Sequence, residues 1–268
     1  MSAPAPAAAP RLAVRGELRL VARQLRYEQL SFWLNPVGAI FTVVFSVVFL
    51  VMLGASAGSS RVSYLGNVEL VQYYVPAFVS YGVMAACFTT LCISLVVRRE
   101  TGLLKRLRLS PLPTWGLLAA IVLSTAVIAC IQVVLLLAVG RLGFGVHLPH
   151  DGLAFVLALL VGVASFTALG VAMSTLVPNQ EAAGPVTSTV FFILLFLSGL
   201  WFPIKSGSTL AQISTWFPIR HFLKAVFAAF NAQGESPLSW HDLLIVAAWG
   251  TAGAVVALRR FQWAPRRG

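Results

Sequence analysis

Residues 98–113 read RRETGLLKRLRLSPLP and hold the chain's densest set of side chains able to make strong, directional contacts. Arg98, Arg99, Glu100, Thr101, Lys105, Arg106 and Arg108 offer guanidinium, carboxylate, hydroxyl and ammonium groups within eleven positions. With no thiol or imidazole among them, this is chemistry for charge-assisted docking rather than for making and breaking bonds. Leu103, Leu104 and Leu107 recur at helical spacing just after Gly102, and Pro111 and Pro113 end the pattern sharply. The segment predicts a short helix with an apolar edge and charged flanks, fit to enter a groove on a partner. Basic residues beside a membrane span also serve topology alone, and that plainer reading stays open.

Other reactive constellations are sparse. His147, His150 and Asp151 have a metal-like spacing, but two imidazoles in a short loop are weak evidence, and an exposed polar loop is the simpler reading. No G-x-x-x-x-G-K-[ST] occurs, so the chain has no P-loop with which to cradle ATP. No Ser/His/Asp or Cys/His set shares a plausible site. Cys87, Cys92 and Cys130 all fall in apolar stretches and read as small fillers. The expectation is a non-enzyme that holds no metal and no cofactor of its own.

What must position these residues is a membrane bundle. The chain has 19 basic and 8 acidic residues, and all of them fall outside six windows: 29–60, 70–97, 109–140, 152–180, 182–204 and 243–258. Crossing the hydrocarbon takes roughly 17–25 apolar residues, and a charge at mid-depth costs several kcal/mol, so the windows predict six transmembrane helices. The fold class is an all-α polytopic membrane protein. A mean hydropathy of +0.88 fits nothing that stays in solution. The net charge of +11 does not indicate nucleic-acid binding, because there is no polar module to carry a basic face. The uncharged windows also argue against an ion-coupled carrier, which needs an ionisable group at membrane depth.

The basic residues sort by side. With the N-terminus inside, fourteen (Arg11, Arg15, Arg19, Arg23, Arg26, Arg98, Arg99, Lys105, Arg106, Arg108, Arg259, Arg260, Arg266, Arg267) are cytoplasmic and five (Arg61, Arg141, Lys205, Arg220, Lys224) are outside. The positive-inside rule therefore places both termini in the cytoplasm of a cell membrane. Sixteen Arg to three Lys, with abundant Ala, is the composition of a high-GC bacterial genome.

Along the chain, 1–10 (MSAPAPAAAP) reads as a disordered tail. Residues 11–31 predict an amphipathic helix in the cytoplasmic headgroup layer. There Val14, Leu18, Val21 and Leu25 face the acyl chains while Arg15, Arg19, Arg23 and Arg26 reach lipid phosphates. A permease domain follows over 32–260, with spans near 35–53, 74–97, 115–139, 153–177, 185–202 and 243–258, and 261–268 is a cytoplasmic tail. Between spans five and six, 210–217 and 219–230 predict two short amphipathic helices broken at Pro218, with Trp201, Phe202, Trp216 and Phe217 at the outer interface. A re-entrant hairpin is the natural arrangement, because backbone at membrane depth must be shielded.

Taken together, these features resemble the type-2 ATP-binding-cassette export permeases over residues 11–260. The stretch Arg99–Pro113 resembles the family's first cytoplasmic loop. Gly199-Leu-Trp201-Phe202-Pro203, followed by Trp216-Phe-Pro218-Ile-Arg-His221, resembles its outer segment. A Leu-Pro pair common between those two blocks is replaced by Ser208-Thr209-Leu210. The resemblance implies a half-transporter. Two permease subunits, alike or different, would pair with two copies of a separate ATP-binding subunit that carries ATP and Mg. Closure of that subunit would be passed on through the N-terminal helix and through Arg99, Glu100, Thr101, Gly102, Leu103, Leu104, Lys105, Arg106 and Leu107. The members most like this chain export drugs, antibiotics or lipid-like molecules, and others export glycans. A non-transport membrane assembly factor is the remaining alternative.

Overall fold

The computed structural model describes residues 14–58, 60–62, 68–103, 114–200, 209–231 and 238–261. The tail 1–10, the loop residues Leu104, Lys105, Arg106 and Leu107, and Trp201, Phe202 and Pro203 lie outside the described residues, as does the tail 261–268 beyond Phe261.

Six helices are long and apolar enough to span a membrane, and they fall on the six charge-free windows. In chain order the elements are α1 (Val14–Trp33), α2 (Pro36–Ala57), β1 (Arg61–Val62), β2 (Val68–Glu69), α3 (Leu70–Glu100) and α4 (Thr114–Phe144). They continue with α5 (Gly152–Ser174), α6 (Gln180–Ser198), α7 (Thr209–Ser214), α8 (Pro218–Phe230) and α9 (Trp240–Arg260). Spans one to six are α2, α3, α4, α5, α6 and α9. A two-residue antiparallel ribbon, Arg61 opposite Glu69 and Val62 opposite Val68, closes the loop between spans one and two and leaves the all-α class unchanged.

Local chemistry sets the starts. Asn35 caps α2 by accepting the Gly38 N–H, with Pro36 in the first turn. Asp151 accepts the Ala154 N–H at the start of α5 and so caps that helix. Asn179 caps α6 in the same way. That cap starts span five at Gln180, five residues before the expected 185, and leaves Pro185 inside the helix. Span two likewise begins at Leu70, so Pro76 lies within it and not in its first turn. Both spans are longer than expected: Asn179 caps span five ahead of Pro185, and span two starts directly after the charged Glu69 with Pro76 accommodated inside it.

Span two is the centre of the bundle. Of its most apolar window 78% is buried, against 28% in spans five and six, whose outward faces remain for lipid or another subunit. The core joins Phe78, Met84, Phe166, Phe222, Leu136 and Leu195 from α3, α5, α8, α4 and α6. Spans one and two each contain a π-helical stretch, Ile40–Val44 and Ala85–Thr90. Such stretches shift the hydrogen-bond ladder and widen the helix locally. Polar side chains collect there. Thr42 Oγ1 lies 3.2 Å from Thr90 Oγ1, and Gln132 of α4 donates to the Thr42 carbonyl and the Ser46 hydroxyl, both at 2.8 Å. Gly82 makes room for this amide, since a methyl there would lie 2.7 Å from it.

α1 differs from the expected lipid-facing helix. Val21 is buried against Leu91, Leu95, Leu117, Ala120 and Ile121 of α3 and α4, while Leu18 is exposed. Gln29 donates to the carbonyl and hydroxyl of Ser124 at 2.8 and 2.9 Å. The helix is docked on the protein along α4, and Arg19, Arg23 and Arg26 stay exposed. Arg15 falls within α1 as expected. Phe261, just past α9, packs on the same cluster as Val21, so α1 and the end of α9 meet at one end of the bundle. At the far end, α8 is inserted among the spans with Ile219, Phe222, Leu223, Val226 and Phe230 buried.

The packing of α5 on the π stretch of α3 can be tested at Gly170. A methyl there would meet the Cys87 carbonyl oxygen at 2.5 Å, and backbone cannot move aside as a side chain can. Gly170→Ala should cost about 1–3 kcal/mol and lower the thermal midpoint of the detergent-solubilised protein. Gly184→Ala, where a methyl meets nothing within 4 Å, should not lower it.

Candidate functional site: a membrane cavity closed by a buried ion pair

The two π stretches, α1, α4 and α6 enclose a cavity of about 620 Å³. Its walls carry the hydroxyls of Thr42, Thr89, Thr90, Ser94, Ser124, Thr125 and Ser188 and the rings of Phe32, Tyr81, Phe191 and Phe192. Tyr81 and Phe191 meet edge to face at 5.5 Å. Most of the hydroxyls are spent within the protein, as Thr125 is on the Ile121 carbonyl, but Thr89 Oγ1 is buried with no partner among the described residues. Rim residues Ser31, Asn35 and Phe192 are exposed. Such a volume suits a small organic molecule, its apolar walls giving affinity and its few hydroxyls orientation.

A charged pair also lines the cavity. Arg98 donates two hydrogen bonds to Glu28, at 2.7 and 2.5 Å, in the paired geometry that guanidinium and carboxylate favour. Glu28 is 5% exposed and also accepts from Gln24 at 2.8 Å. The pair ties α1 to the end of span two. Sequence reading missed Glu28 altogether. Its signal was position: Glu28 is the charge just before the first charge-free window and Arg98 the charge just after the second.

The next residue ties span two the other way. Arg99 is 3% exposed, and its guanidinium donates to the carbonyls of Ser174, Val177 and Pro178 at 3.1, 2.9 and 3.2 Å. These are carbonyls at and just beyond the end of α5, which has no further turn to bond them. Glu100 accepts from Arg99 Nε at 2.9 Å. Arg99 and Glu100 were expected among the docking groups of the loop. They lie instead at its root, bonded to the bundle and to each other. Thr101 closes the last turn by donating to the Val97 carbonyl, Gly102 leaves the helix at φ +72°, and Leu103 is exposed as the chain emerges. The helix end thus grips α1 and α5, and the chain turns out of the helix at Gly102.

At the far end, His221 is buried in α8 between Asp242 Oδ1, 2.5 Å from its Nδ1, and the Thr215 carbonyl, 2.8 Å from its Nε2. Arg220 bonds Ser214, and burial pulls its guanidinium below the usual arginine range. Pro218 starts α8, and Trp216 is exposed while its carbonyl accepts from Trp249 at 3.1 Å. These residues form a separate cluster on the opposite side of the bundle core from the Glu28–Arg98 pair.

The model of the ABC-2 type transporter family matches residues 20–231, from the docked helix α1 through the end of α8. The chain belongs to that family. Among its relatives is YvfS of Bacillus subtilis (strain 168), named as a transport permease. It is 27% identical over 179 residues, covering 66% of this chain and 71% of the relative. Another is YbhR of Escherichia coli (strain K12), named as a multidrug ABC transporter permease, 24% identical over 200 residues, or 74% of this chain. The match covers 54% of YbhR, so the chain spans about half the length of that relative. Membership makes the chain a membrane transport component, and the cavity accords with that role.

The Glu28–Arg98 pair can be tested directly. Removing one partner of a buried pair strands the other charge, at a cost of about 3–5 kcal/mol. Glu28→Ala should therefore lower the unfolding midpoint sharply, while Glu28→Met combined with Arg98→Met should recover most of the loss.

Proposed function

We propose that the chain is the membrane subunit of an ATP-driven exporter of hydrophobic or amphipathic molecules (drug, antibiotic or lipid-like), working as two permease copies energised by two copies of a separate ATP-binding subunit. The observation that carries this reading is the cavity: lined by aromatic rings and hydroxyls, with its only charges, Glu28 and Arg98, paired to each other. An amphipathic molecule can leave lipid, bury its apolar part against Tyr81, Phe191 and Phe192, and use Thr89 to orient its polar part. Membership of the family supports the transport role, and YbhR's name supports the substrate class.

ATP and Mg belong to the partner in this reading. Its force enters through 101–113 and through α1, because Arg98 and Arg99 clamp the root of that loop to α1 and α5. A pull on the loop then moves the Glu28–Arg98 pair and the two π stretches together. Both termini are cytoplasmic, and α7 and α8 form an outer re-entrant hairpin. A surface-glycan exporter using the same machinery is the alternative that the experiment must separate.

Reconstituted with its ATP-binding subunit, the protein should show ATPase activity stimulated by an amphipathic compound and ATP-dependent movement of that compound. The chain alone should neither bind nor hydrolyse ATP. Stimulation by glycan-linked lipid alone would move the assignment to the glycan alternative. Leu104→Asp, which sets a charge on the docking edge, should abolish transport while the subunit inserts at normal abundance. Unchanged transport would remove the loop from the coupling route. Single cysteines at Lys105 and Lys224, in a background free of native cysteines, should label from opposite sides of the membrane.

A further inference from the structure

The far end of the bundle holds a group of side chains that transport does not use. His221, His241 and Asp242 bring one ligand atom each within 4.8 Å of the others. His221 and Asp242 are nearly buried, with side chains 4% and 13% exposed, while His241 is 83% exposed.

The hydrogen bonds fix which atoms are available. A carbonyl oxygen can only accept, so His221 Nε2, 2.8 Å from the Thr215 carbonyl, carries the ring's proton. In the neutral ring Nδ1 then presents a lone pair, and it faces Asp242 Oδ1 at 2.5 Å. A lone pair and a carboxylate oxygen cannot sit together without positive charge between them, supplied either by a second ring proton or by a metal ion. The other carboxylate oxygen is held by the Ser239 hydroxyl at 2.6 Å. A metal-binding histidine characteristically donates its other N–H to a carbonyl, and a metal-binding carboxylate is itself hydrogen-bonded. Both supports are in place here.

His241 brings a third donor to the pair. Its ring meets that of His221 at 6.0 Å, and its Nδ1 lies 4.0 Å from the same Asp242 oxygen, beyond bonding distance but within reach of a shared ion. With metal–ligand bonds of about 2.0–2.2 Å, donors around a tetrahedral ion lie roughly 3.3 Å apart. From separations of at most 4.8 Å the exposed His241 ring needs to close by up to about 1.5 Å, and Nδ1 and Oδ1 to part by about 0.8 Å, to reach that spacing.

We propose that His221 Nδ1, Asp242 Oδ1 and a ring nitrogen of His241 form a site for a divalent transition metal of the Zn²⁺ kind, with a fourth position open to solvent. Imidazole and carboxylate donors suit this class. The ion staples α8 to the start of α9, and through the Thr215 carbonyl it also fixes the turn between α7 and α8. The site stands apart from the cavity, and its test does not depend on which molecule the protein moves.

The test uses the full chain in detergent, purified without a histidine tag. Titration with Co²⁺ should give the visible absorption of a four-coordinate ion at one equivalent, and Zn²⁺ should displace it and raise the thermal midpoint by binding the folded state. Losing even a residue that supports a metal ligand costs about 10–100-fold in affinity, so His241→Ala should weaken Zn²⁺ at least about tenfold. Because His241 is exposed, that variant should keep the metal-free midpoint of the parent. His147→Ala with His150→Ala should bind Zn²⁺ as the parent does. Absence of the Co²⁺ band, equal affinity in His241→Ala, or loss of binding in the His147/His150 variant would each overturn the site. The first two outcomes would return His221 and Asp242 to a pair joined by a proton.

Discussion

A peptide group inside hydrocarbon has no water to bond, so every break in a helix must be answered by another part of the protein. The sharpest breaks here are the π stretches of spans one and two. The Gln132 amide and the Thr42–Thr90 hydroxyl pair answer them, and Gly82 is small so that the amide can reach. The widening that the π turns produce also opens the space beside them. The cavity is therefore where two helices depart from α geometry and a third makes good the difference.

The same rule governs the ends of the spans. The terminal carbonyls of α5 take their donors from Arg99, a side chain of another helix. Glu28 and Arg98 neutralise each other where either alone would be costly. Three elements that a partner could push or pull, namely α1, span two and the end of span four, thus converge on two adjacent arginines. The polar groups that satisfy buried chemistry are also the mechanical joints.

At the far end the logic is different. α7 and α8 are held by aromatic packing, Phe166 on Phe222 at 5.5 Å and Phe217 on Trp249 at 6.5 Å, and by the polar knot around His221. Charged and imidazole groups there belong to α8, the start of α9 and the turns beside them, while the described midsection of the bundle carries amides, hydroxyls and thiols. Stiff joints at both ends, with adaptable hydroxyls and rings between, suit a protein whose middle must accommodate a passing molecule.

The amino-acid sequence by itself determined the six spans, the amphipathic α1 and the two short helices meeting at Pro218, because hydrocarbon thickness and helical period act on neighbouring residues. It misjudged the starts of spans two and five, where a cap or an internal proline shifts the boundary by a turn or so. Only the tertiary structure decided what the polar residues do. Glu28 meets Arg98 across 70 positions, Arg99 meets Ser174 across 75, and Gln132 meets Thr42 across 90. No local pattern encodes such pairs, since each is fixed by which helices pack together. Arg99 reads in sequence as one more charge on a basic loop, and the fold turns it inward because a neighbouring helix ends beside it with its carbonyls unpaired.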